Sequence, residues 1–166
     1  MTTITQSLLK ELFDYDPDVG VFVRKVQKGP SIRGTIAGSV NSKGYGQICI
    51  NGKRYVSHRL AWIYVYGTPP SGELDHINRD KSDNRIANLR EVTRHQNCQN
   101  VGATSSNSSG FKGVSWEKTS SKWRARIRVN GVPLSLGCFD SKEAAAEAYR
   151  AAAMQYHPCA VFKEAA

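Results

Sequence analysis

DHINRDKSDNRIANLREVTRHQNCQN, residues 75–100, is the stretch that decides the fold of the first half of this chain. An acidic residue and a histidine, Asp75 and His76, stand next to each other at its start. The run LREV predicts a short strand, and Thr93 with Gln96 has the spacing of a capping box that starts a helix. By itself such an acid and histidine pair suits many uses, so its role depends on the residues around it.

The residues before this stretch predict a small region of mixed helix and strand. TQSLLKELF, residues 5–13, has the spacing of a short helix, and VFVRKV further on resembles a strand. GYGQICINGKRYVSH, residues 44–58, contains two alternating runs around Asn51 and Gly52, which is the strongest short signal for a hairpin. HRLAWIYVYG, residues 58–67, predicts a helix or a buried segment.

The charge balance indicates a polyanionic partner. Among 166 residues, Lys and Arg outnumber Asp and Glu by 23 to 14, which gives a net charge of +9. Residues 1–99 carry 14 basic and 9 acidic side chains, and residues 100–166 carry 9 and 5. Because neither half is merely a basic tail, both halves could contact nucleic acid.

The four cysteines and the apolar runs bear on where the protein works. The cysteines are far apart, without a C-x-x-C pair, so we expect no zinc site and interpret them as buried, reduced thiols. No apolar run approaches the roughly 18 residues that a membrane span needs. These features predict a soluble, cytoplasmic protein without a membrane partner.

NVGATSSNSSG, residues 100–110, is the clearest break in composition. It has no charged residue and consists mostly of small or amide side chains, as flexible linkers do. We therefore predict a first domain at 1–99, with its core motif at about 72–100, a linker at 100–109 and a second domain at 110–166. Two domains so joined could hold neighbouring parts of one duplex.

The second domain begins with three predicted strands. GVSWE, KWRARIRV and VPLSLGC are separated by polar turns, and they predict an antiparallel meander. Side chains alternate along a strand, so four cations of the middle run share one face. They are Lys122, Arg124, Arg126 and Arg128. Four like charges in a row favour an anionic ligand, although a merely solvated face remains an alternative.

A helix is predicted after the third strand. Asp140 and Glu143 have the spacing of a capping box, and Ala-rich sequence follows. Small and aromatic residues form one stripe at helical spacing, which would pack the helix on the apolar face of the sheet. The members of the stripe are Ala145, Ala148, Tyr149, Ala152 and Tyr156.

This second domain resembles an AP2/ERF domain over about fifty residues. The matching pattern is G-V, K-W-x-A-x-I-R, L-G-x-F-D and A-A-x-A-Y, in that order. Ser115 and Ser135 stand where the family usually has Arg and Trp, so its base preferences do not transfer. The resemblance implies a three-stranded sheet in the major groove of duplex DNA, backed by one helix. It also implies that Lys112, Trp123, Arg126 and Arg128 contact DNA. For Trp123, a packing role alone is the alternative.

The opening stretch resembles the HNH nuclease motif of a ββα-metal finger. Asp75 and His76 are followed by Asn88 twelve residues after His76 and by Asn97 nine residues later. With HRLAWIYVYG and DNRIANLREVT, this spacing is similar to phage homing endonucleases of the HNH type, several of which carry an AP2 domain. The fold class implied is α+β, with a β-hairpin region before the finger and the sheet-and-helix domain after the linker.

The resemblance implies a role for each motif residue. Asp75 and Asn97 would hold one divalent metal ion, Mg²⁺ or Mn²⁺, which prefer oxygen ligands. His76 would take a proton from the attacking water, and Asn88 would orient the loop in support. Hydrolysis of a phosphodiester needs these groups because charge develops on the phosphate and on the leaving oxygen.

Basic residues and alternative functions complete the interpretation. Five basic residues surround the motif: Arg79, Lys81, Arg85, Arg90 and Arg94. We expect phosphate contacts from this group, and from Arg79 and Arg94 in particular. The function predicted is a site-specific DNA endonuclease of the homing type, acting as a monomer, with a dimer left open. The alternatives are a DNA-binding regulator with an inactive HNH scaffold and a single-strand or RNA binder.

Overall fold

The computed structural model describes residues 4–27, 29–104 and 106–162. The chain divides into two compact units, Met1–Arg94 and His95–Ala166, and each contains helices and strands. This division falls within the helix Arg94–Asn100, ahead of the segment predicted as a linker. Ser105 of that segment lies outside the described residues, as do the outermost residues of both predicted domains.

Among its described residues, the first unit contains two α-helices, a short 3-10 helix (Ile86–Asn88) and seven short strands. In chain order the α-helices and strands are α1 (Gln6–Leu12), β1 (Phe13–Asp16), β2 (Val21–Arg24), β3 (Ser39–Val40), β4 (Gly46–Ile50), β5 (Lys53–Val56), α2 (Ser57–Tyr66), β6 (Glu73–His76) and β7 (Leu89–Val92). Strands β1 and β2 pair, β3, β4 and β5 form a three-stranded sheet, and β6 pairs with β7. All of these pairings are antiparallel.

Local sequence signals explain the ends of these elements. The hydroxyl of Thr5 accepts a hydrogen bond from the backbone N–H of Leu8 and so caps α1. Asn51 and Gly52 have φ values of 49° and 79°, as a two-residue hairpin turn between β4 and β5 requires. Helix α2 ends at Gly67, which is left-handed with φ 80°. The predicted helix, hairpin and buried segment are therefore confirmed.

The core of the first unit sits between the helices and the hairpins. Leu9, Phe22, Ile48 and Leu60 are almost fully buried and belong to one apolar cluster. The cluster also reaches Leu89 at the start of β7. Burial of the apolar faces of the helices and hairpins thus fixes the position of the β6–β7 pair.

The second unit is a sheet packed on a helix, preceded by the rest of α3 (Arg94–Asn100). Its elements are β8 (Val114–Glu117), β9 (Lys122–Val129), β10 (Val132–Phe139) and α4 (Lys142–Tyr156). The strands form an antiparallel sheet in the order β10, β9, β8. Ala125 and Ile127 of β9 are buried, while Arg126 and Arg128 between and beyond them are exposed. The predicted meander and its alternation are confirmed.

Two details of the predicted helix were wrong. Ser141, and not Asp140, caps α4, because its hydroxyl accepts from the backbone N–H of Ala144. The carboxylate of Asp140 instead pairs with Nζ of Lys122 at 3.1 Å. Tyr156 is 39% exposed, and the buried stripe instead includes Ala146 and Ala153.

The prediction that the four cysteines are buried was also wrong. Cys49, Cys98 and Cys138 are exposed, and only Cys159 is buried. Cys49 points outward because Ile48 and Ile50, its neighbours on β4, both point into the core. No helix among the described residues is both long and apolar enough to cross a membrane.

Candidate functional site

The carboxylate of Asp75 is buried on β6 and is held by an arginine of the next strand. Asp75 lies opposite Arg90 in the β6–β7 pair, and Nε and Nη2 of Arg90 donate to its Oδ2 at 2.9 and 2.7 Å. Because only 7% of Asp75 is exposed, water screens this pair little. The strand register therefore fixes the carboxylate and places a cation beside one of its oxygens.

His76 follows on β6 and so points to the opposite side of the strand. It is 5% exposed, and its Nε2 lies 3.2 Å from Oδ1 of Asn84. Since Nδ2 of Asn84 donates to the carbonyl of Ser82 at 3.0 Å, Oδ1 is an acceptor, and Nε2 of His76 is the nitrogen that donates. In the neutral ring the lone pair is then on Nδ1, which is the nitrogen able to accept a proton.

A second imidazole and a tyrosine pack against this histidine. The ring of His58 meets that of His76 edge to face, with 5.0 Å between centroids, and Tyr45 contacts both rings. Burial, and to a smaller extent the nearby His76 and Arg59, lower the pKa of His58 from 6.5 to about 4. His58 is therefore neutral at neutral pH, and it adds no charge beside His76.

Asn88 organises the loop between β6 and β7. Its Oδ1 accepts from the backbone N–H of Asn78 at 3.0 Å. Its Nδ2 donates to Oδ1 of Asn78 and to the carbonyl of Asp83 at 3.0 and 2.8 Å. The backbone N–H of Ile77 also donates to the carbonyl of Asn88 at 2.9 Å. These contacts connect the start and the middle of the loop to Asn88 at its end.

The basic residues around the motif have different surroundings. Arg85 pairs with Asp83 at 2.6 Å, and its hydrogen bonds lower the pKa of that carboxyl to about 2. Arg79 is half-buried and adopts a left-handed φ of 65° just after the strand that ends at His76. Arg94 is exposed. Arg85, like Arg90, is therefore engaged with a carboxylate of the fold.

Asn97 and Lys112 belong to the second unit. Asn97 is half-buried in α3. Nζ of Lys112 donates to three carbonyls at the end of that helix, those of Cys98, Gln99 and Val101, at 2.9, 2.9 and 2.6 Å. An ammonium group at this position stabilises a helix C-terminus. Lys112 thus ties α3 to the start of the sheet domain.

The cationic face of β9 is only partly neutralised by the protein. Lys122 pairs with Asp140, and Arg124 pairs with Glu117 at 2.5 Å. No carboxylate among the described residues lies within ion-pair distance of Arg126 or Arg128. These two arginines line a concave pocket of about 420 Å³, together with Asn107, Ser115 and Pro133 among others.

Trp123 has a packing role at the other end of β9. Its ring meets that of Trp116 edge to face, with 5.1 Å between centroids. It also packs against the apolar cluster formed by Val114, Ala125 and Ala145.

The two side chains that the motif offers as metal ligands, Asp75 and Asn97, carry oxygen donors of the kind that a hard cation prefers. Among the described residues no three His, Cys, Asp or Glu side chains form a group that could hold a metal ion. The candidate donors are one carboxylate and an amide oxygen. Such a set fits Mg²⁺ or Mn²⁺, which keep water and accept phosphate oxygens in the remaining positions.

Two residues of the site carried no clear signal in the sequence. Asn84 lies in KSDN, a run of residue types that are common in turns, and its side chain holds His76. Arg90 was expected to contact phosphate, but the register of β6 and β7 makes it the partner of Asp75. The alternation of LREV would have placed Arg90 beside Asp75 if the register between β6 and β7 had been known. The length of the loop that joins these strands does not determine that register.

The region that contains these side chains is similar to known proteins. Residues 55–99 match the HNH endonuclease family, and this region contains Asp75, His76, Asn88 and Asn97. This match and the relative described next show that the chain belongs to the HNH endonucleases, a family of nucleases with a DNA substrate. It is similar to Protein 3.8 of Escherichia phage T7, with 32% identity over 94 residues, which span 56% of this chain and 78% of that protein. No solved structure matches the chain.

Proposed function

We propose that this protein is a site-specific, divalent-metal-dependent DNA endonuclease of the phage homing type, which hydrolyses phosphodiester bonds in duplex DNA. The observation that carries the proposal is the buried pair of Asp75 and His76, each fixed by a partner of its own. Arg90 holds the carboxylate, and Asn84 holds the ring.

His76 is the general base in this proposal. Its Nδ1 accepts a proton from the water that attacks phosphorus, while Nε2 stays bonded to Asn84. The neutral ring of His58 beside it leaves the protonated form of His76 without a like charge as neighbour. Asn88 keeps the loop after His76 in place, so that the ring stays aligned.

Asp75 and Asn97 are the proposed ligands of one Mg²⁺ or Mn²⁺ ion. The assignment of Asn97 rests on the spacing of the motif, and that of Asp75 also on its fixed, buried carboxylate. When bound, such an ion neutralises phosphate charge and stabilises the leaving oxygen. Arg90 keeps Oδ2 of Asp75 in position for this role.

We assign recognition of the duplex to the sheet of residues 110–166 as an AP2-like domain. Arg126 and Arg128 are the foremost candidates, because they are exposed, line a concave pocket and have no ion pair among the described residues. Lys122 and Arg124 would exchange their acidic partners for phosphates. In this arrangement residues 1–99 cut and the sheet selects the site, in a protein that acts as a monomer.

One observation favours a second candidate function. Arg90 already neutralises Oδ2 of Asp75, and a nearby fixed cation weakens the attraction of a carboxylate for a metal ion. A DNA-binding regulator built on an inactive HNH scaffold would show this feature.

Incubation of supercoiled plasmid carrying candidate sites with the protein tests the proposal. We expect nicked or linear plasmid with Mg²⁺ or Mn²⁺ and none with a chelator. His76→Ala should abolish cleavage but keep DNA affinity, whereas His95→Ala, a change at an exposed histidine, should keep both. Tight binding without metal-dependent cleavage by the wild type would support the regulator instead. Sequencing the ends of cut DNA would then give the site and the number of strands cut.

A further inference from the structure

The N-terminal hairpin of β1 and β2 holds the backbone of the segment that carries Asn84. The hydroxyl of Tyr15 donates to the carbonyl of Asn84 at 2.7 Å in a buried hydrogen bond between residues 69 positions apart. Two residues further on, the backbone N–H of Ile86 donates to the carbonyl of Pro17 at 3.1 Å. The hairpin therefore binds main-chain groups of the residue before Arg85 and of the residue after it.

The turn of the hairpin approaches the same segment so closely that it needs a glycine. Gly20 has a φ of +80°, and a Cβ at this position would lie 2.4 Å from the backbone nitrogen of Arg85 and 2.6 Å from the carbonyl carbon of Asn84. Backbone atoms cannot move aside as the end of a flexible side chain can. The position of Asn84 is thus determined by the hairpin on two sides.

The side chain of Asn84 continues this connection to His76. Asn84 is 5% exposed, and its Oδ1 accepts from Nε2 of His76 at 3.2 Å. Its Nδ2 donates to the carbonyl of Ser82, so the amide has one orientation that satisfies both partners. A shift of the Asn84 backbone would therefore change the hydrogen bond to the ring.

Tyr15 is well suited to hold a carbonyl permanently. Burial raises the pKa of its phenol well above the usual value, and the carboxylates of Asp16 and Asp83 raise it further. Tyr15 also packs in the apolar core, with its ring centroid 4.7 Å from that of Phe22. Its hydroxyl keeps its proton and has little freedom to turn elsewhere.

We propose that Tyr15 is a positioning residue for His76: through the backbone of Asn84, the N-terminal hairpin fixes the amide that holds Nε2 of the catalytic ring. The inference rests on the proposed function, in which His76 is the general base. It makes a part of the chain outside residues 55–99 necessary for full activity.

Tyr15→Phe tests this inference, and Tyr64→Phe is its matched control. Tyr64 packs against Tyr15 in the same cluster, with 5.6 Å between centroids, but its hydroxyl has no hydrogen bond to a residue that the structure describes. Both changes remove one oxygen from one tyrosine. Circular dichroism and thermal unfolding would establish that both variants are folded.

Two measurements are needed, and the first is kinetic. With supercoiled plasmid and Mg²⁺ or Mn²⁺, we expect Tyr15→Phe to lower kcat between about tenfold and a hundredfold, because small misplacements of a reacting group have effects of this size. KM for DNA should not change, and Tyr64→Phe should cleave as the wild type does. If the wild type cleaves and Tyr15→Phe has an unchanged kcat, the positioning role is refuted and the nuclease stands.

The second measurement does not depend on cleavage. The two ring nitrogens of a neutral histidine give different ¹⁵N signals when only one carries the proton, and the signals of His76 are assigned by their loss in His76→Ala. We expect Tyr15→Phe to bring the two signals closer together, and Tyr64→Phe to leave them unchanged. Unchanged signals in Tyr15→Phe would refute the inference. If the wild type does not cleave any DNA, the proposed function fails, and these signals still decide whether Tyr15 positions the ring.

Discussion

Nε2 of His76 donates to Oδ1 of Asn84, eight residues later in the chain, and both side chains are buried. The hydrogen bond selects the ring tautomer in which Nδ1 is the basic nitrogen. Two adjacent residues of β6 thus have two different kinds of partner, an amide for the histidine and a guanidinium for the acid.

Asn84→Ala should slow cleavage while leaving DNA affinity intact. Without the amide the ring can turn and change tautomer, and we expect kcat to fall at least about tenfold, as for other losses of groups that orient a catalytic side chain. Ser82→Ala is the control, because it keeps the backbone carbonyl to which Asn84 donates. Single-turnover cleavage and a gel-shift titration measure the two quantities. An equal loss in both variants would indicate a general disturbance of the loop.

Arg90→Met should destabilise the first unit, because it leaves the buried carboxylate of Asp75 without its cation. We expect the free energy of unfolding to fall by about 3 kcal/mol, and the double variant Arg90→Met with Asp75→Asn to recover part of the loss. Urea unfolding of the four proteins of this cycle measures the coupling. Additive losses would show that the two side chains do not stabilise each other.

The same Arg90→Met variant separates the two candidate functions. If Asp75 is a metal ligand, Mn²⁺ should raise the unfolding temperature of Arg90→Met, since the ion takes over the neutralising role of the guanidinium. Asp75→Asn should respond less to Mn²⁺ than the wild type does. Equal responses of all three proteins would contradict the metal assignment.

Lys112→Met should change stability more than DNA binding. The resemblance to AP2 domains predicts a DNA contact for Lys112, whereas its three hydrogen bonds to the end of α3 favour a structural role. We expect a loss of about 1 kcal/mol in the free energy of unfolding and an unchanged dependence of DNA affinity on salt. Arg126→Ala is the comparison, and it should weaken binding and reduce the salt slope by about one unit. If the DNA affinity of Lys112→Met depended less on salt than that of the wild type, Lys112 would be shown to contact DNA.

The pKa of His58 predicts a loss of stability in mild acid. Its value of about 4 in the folded chain lies below the 6.5 expected after unfolding, so the unfolded chain binds the proton more readily. The contribution of the neutral His58 ring to the free energy of unfolding is complete above about pH 6.5. It is lost as the pH falls toward 4, by about 3 kcal/mol in total. Urea unfolding at several pH values measures the effect in wild type and in His58→Phe. The difference in the free energy of unfolding between the two proteins should shrink as the pH falls. A difference that stays constant with pH would contradict the lowered pKa of His58.

Local signals were sufficient for most of the elements. Asn51 and Gly52 specify a turn with two left-handed residues, and the alternation of KWRARIRV specifies which side chains of β9 are buried. The spacing of Asp75, His76, Asn88 and Asn97 resembles the HNH motif, and the match of residues 55–99 to that family confirms the resemblance. The cap of α4 was missed by one residue, since Asp140 and Ser141 have nearly equal capping preference and only the pairing of Asp140 with Lys122 separates them.

The sequence by itself determined that this chain carries an HNH motif and a sheet with a cationic strand, because both depend on residue type and short spacing. Only the tertiary structure decided which partners orient the motif. Arg90 reaches Asp75 through the register of two strands joined by a long loop, and Asn84 reaches His76 through the path of that loop. Tyr15 reaches Asn84 from 69 residues away, through the packing of a separate hairpin. Such contacts follow from how elements pack, and no local pattern of residues records them.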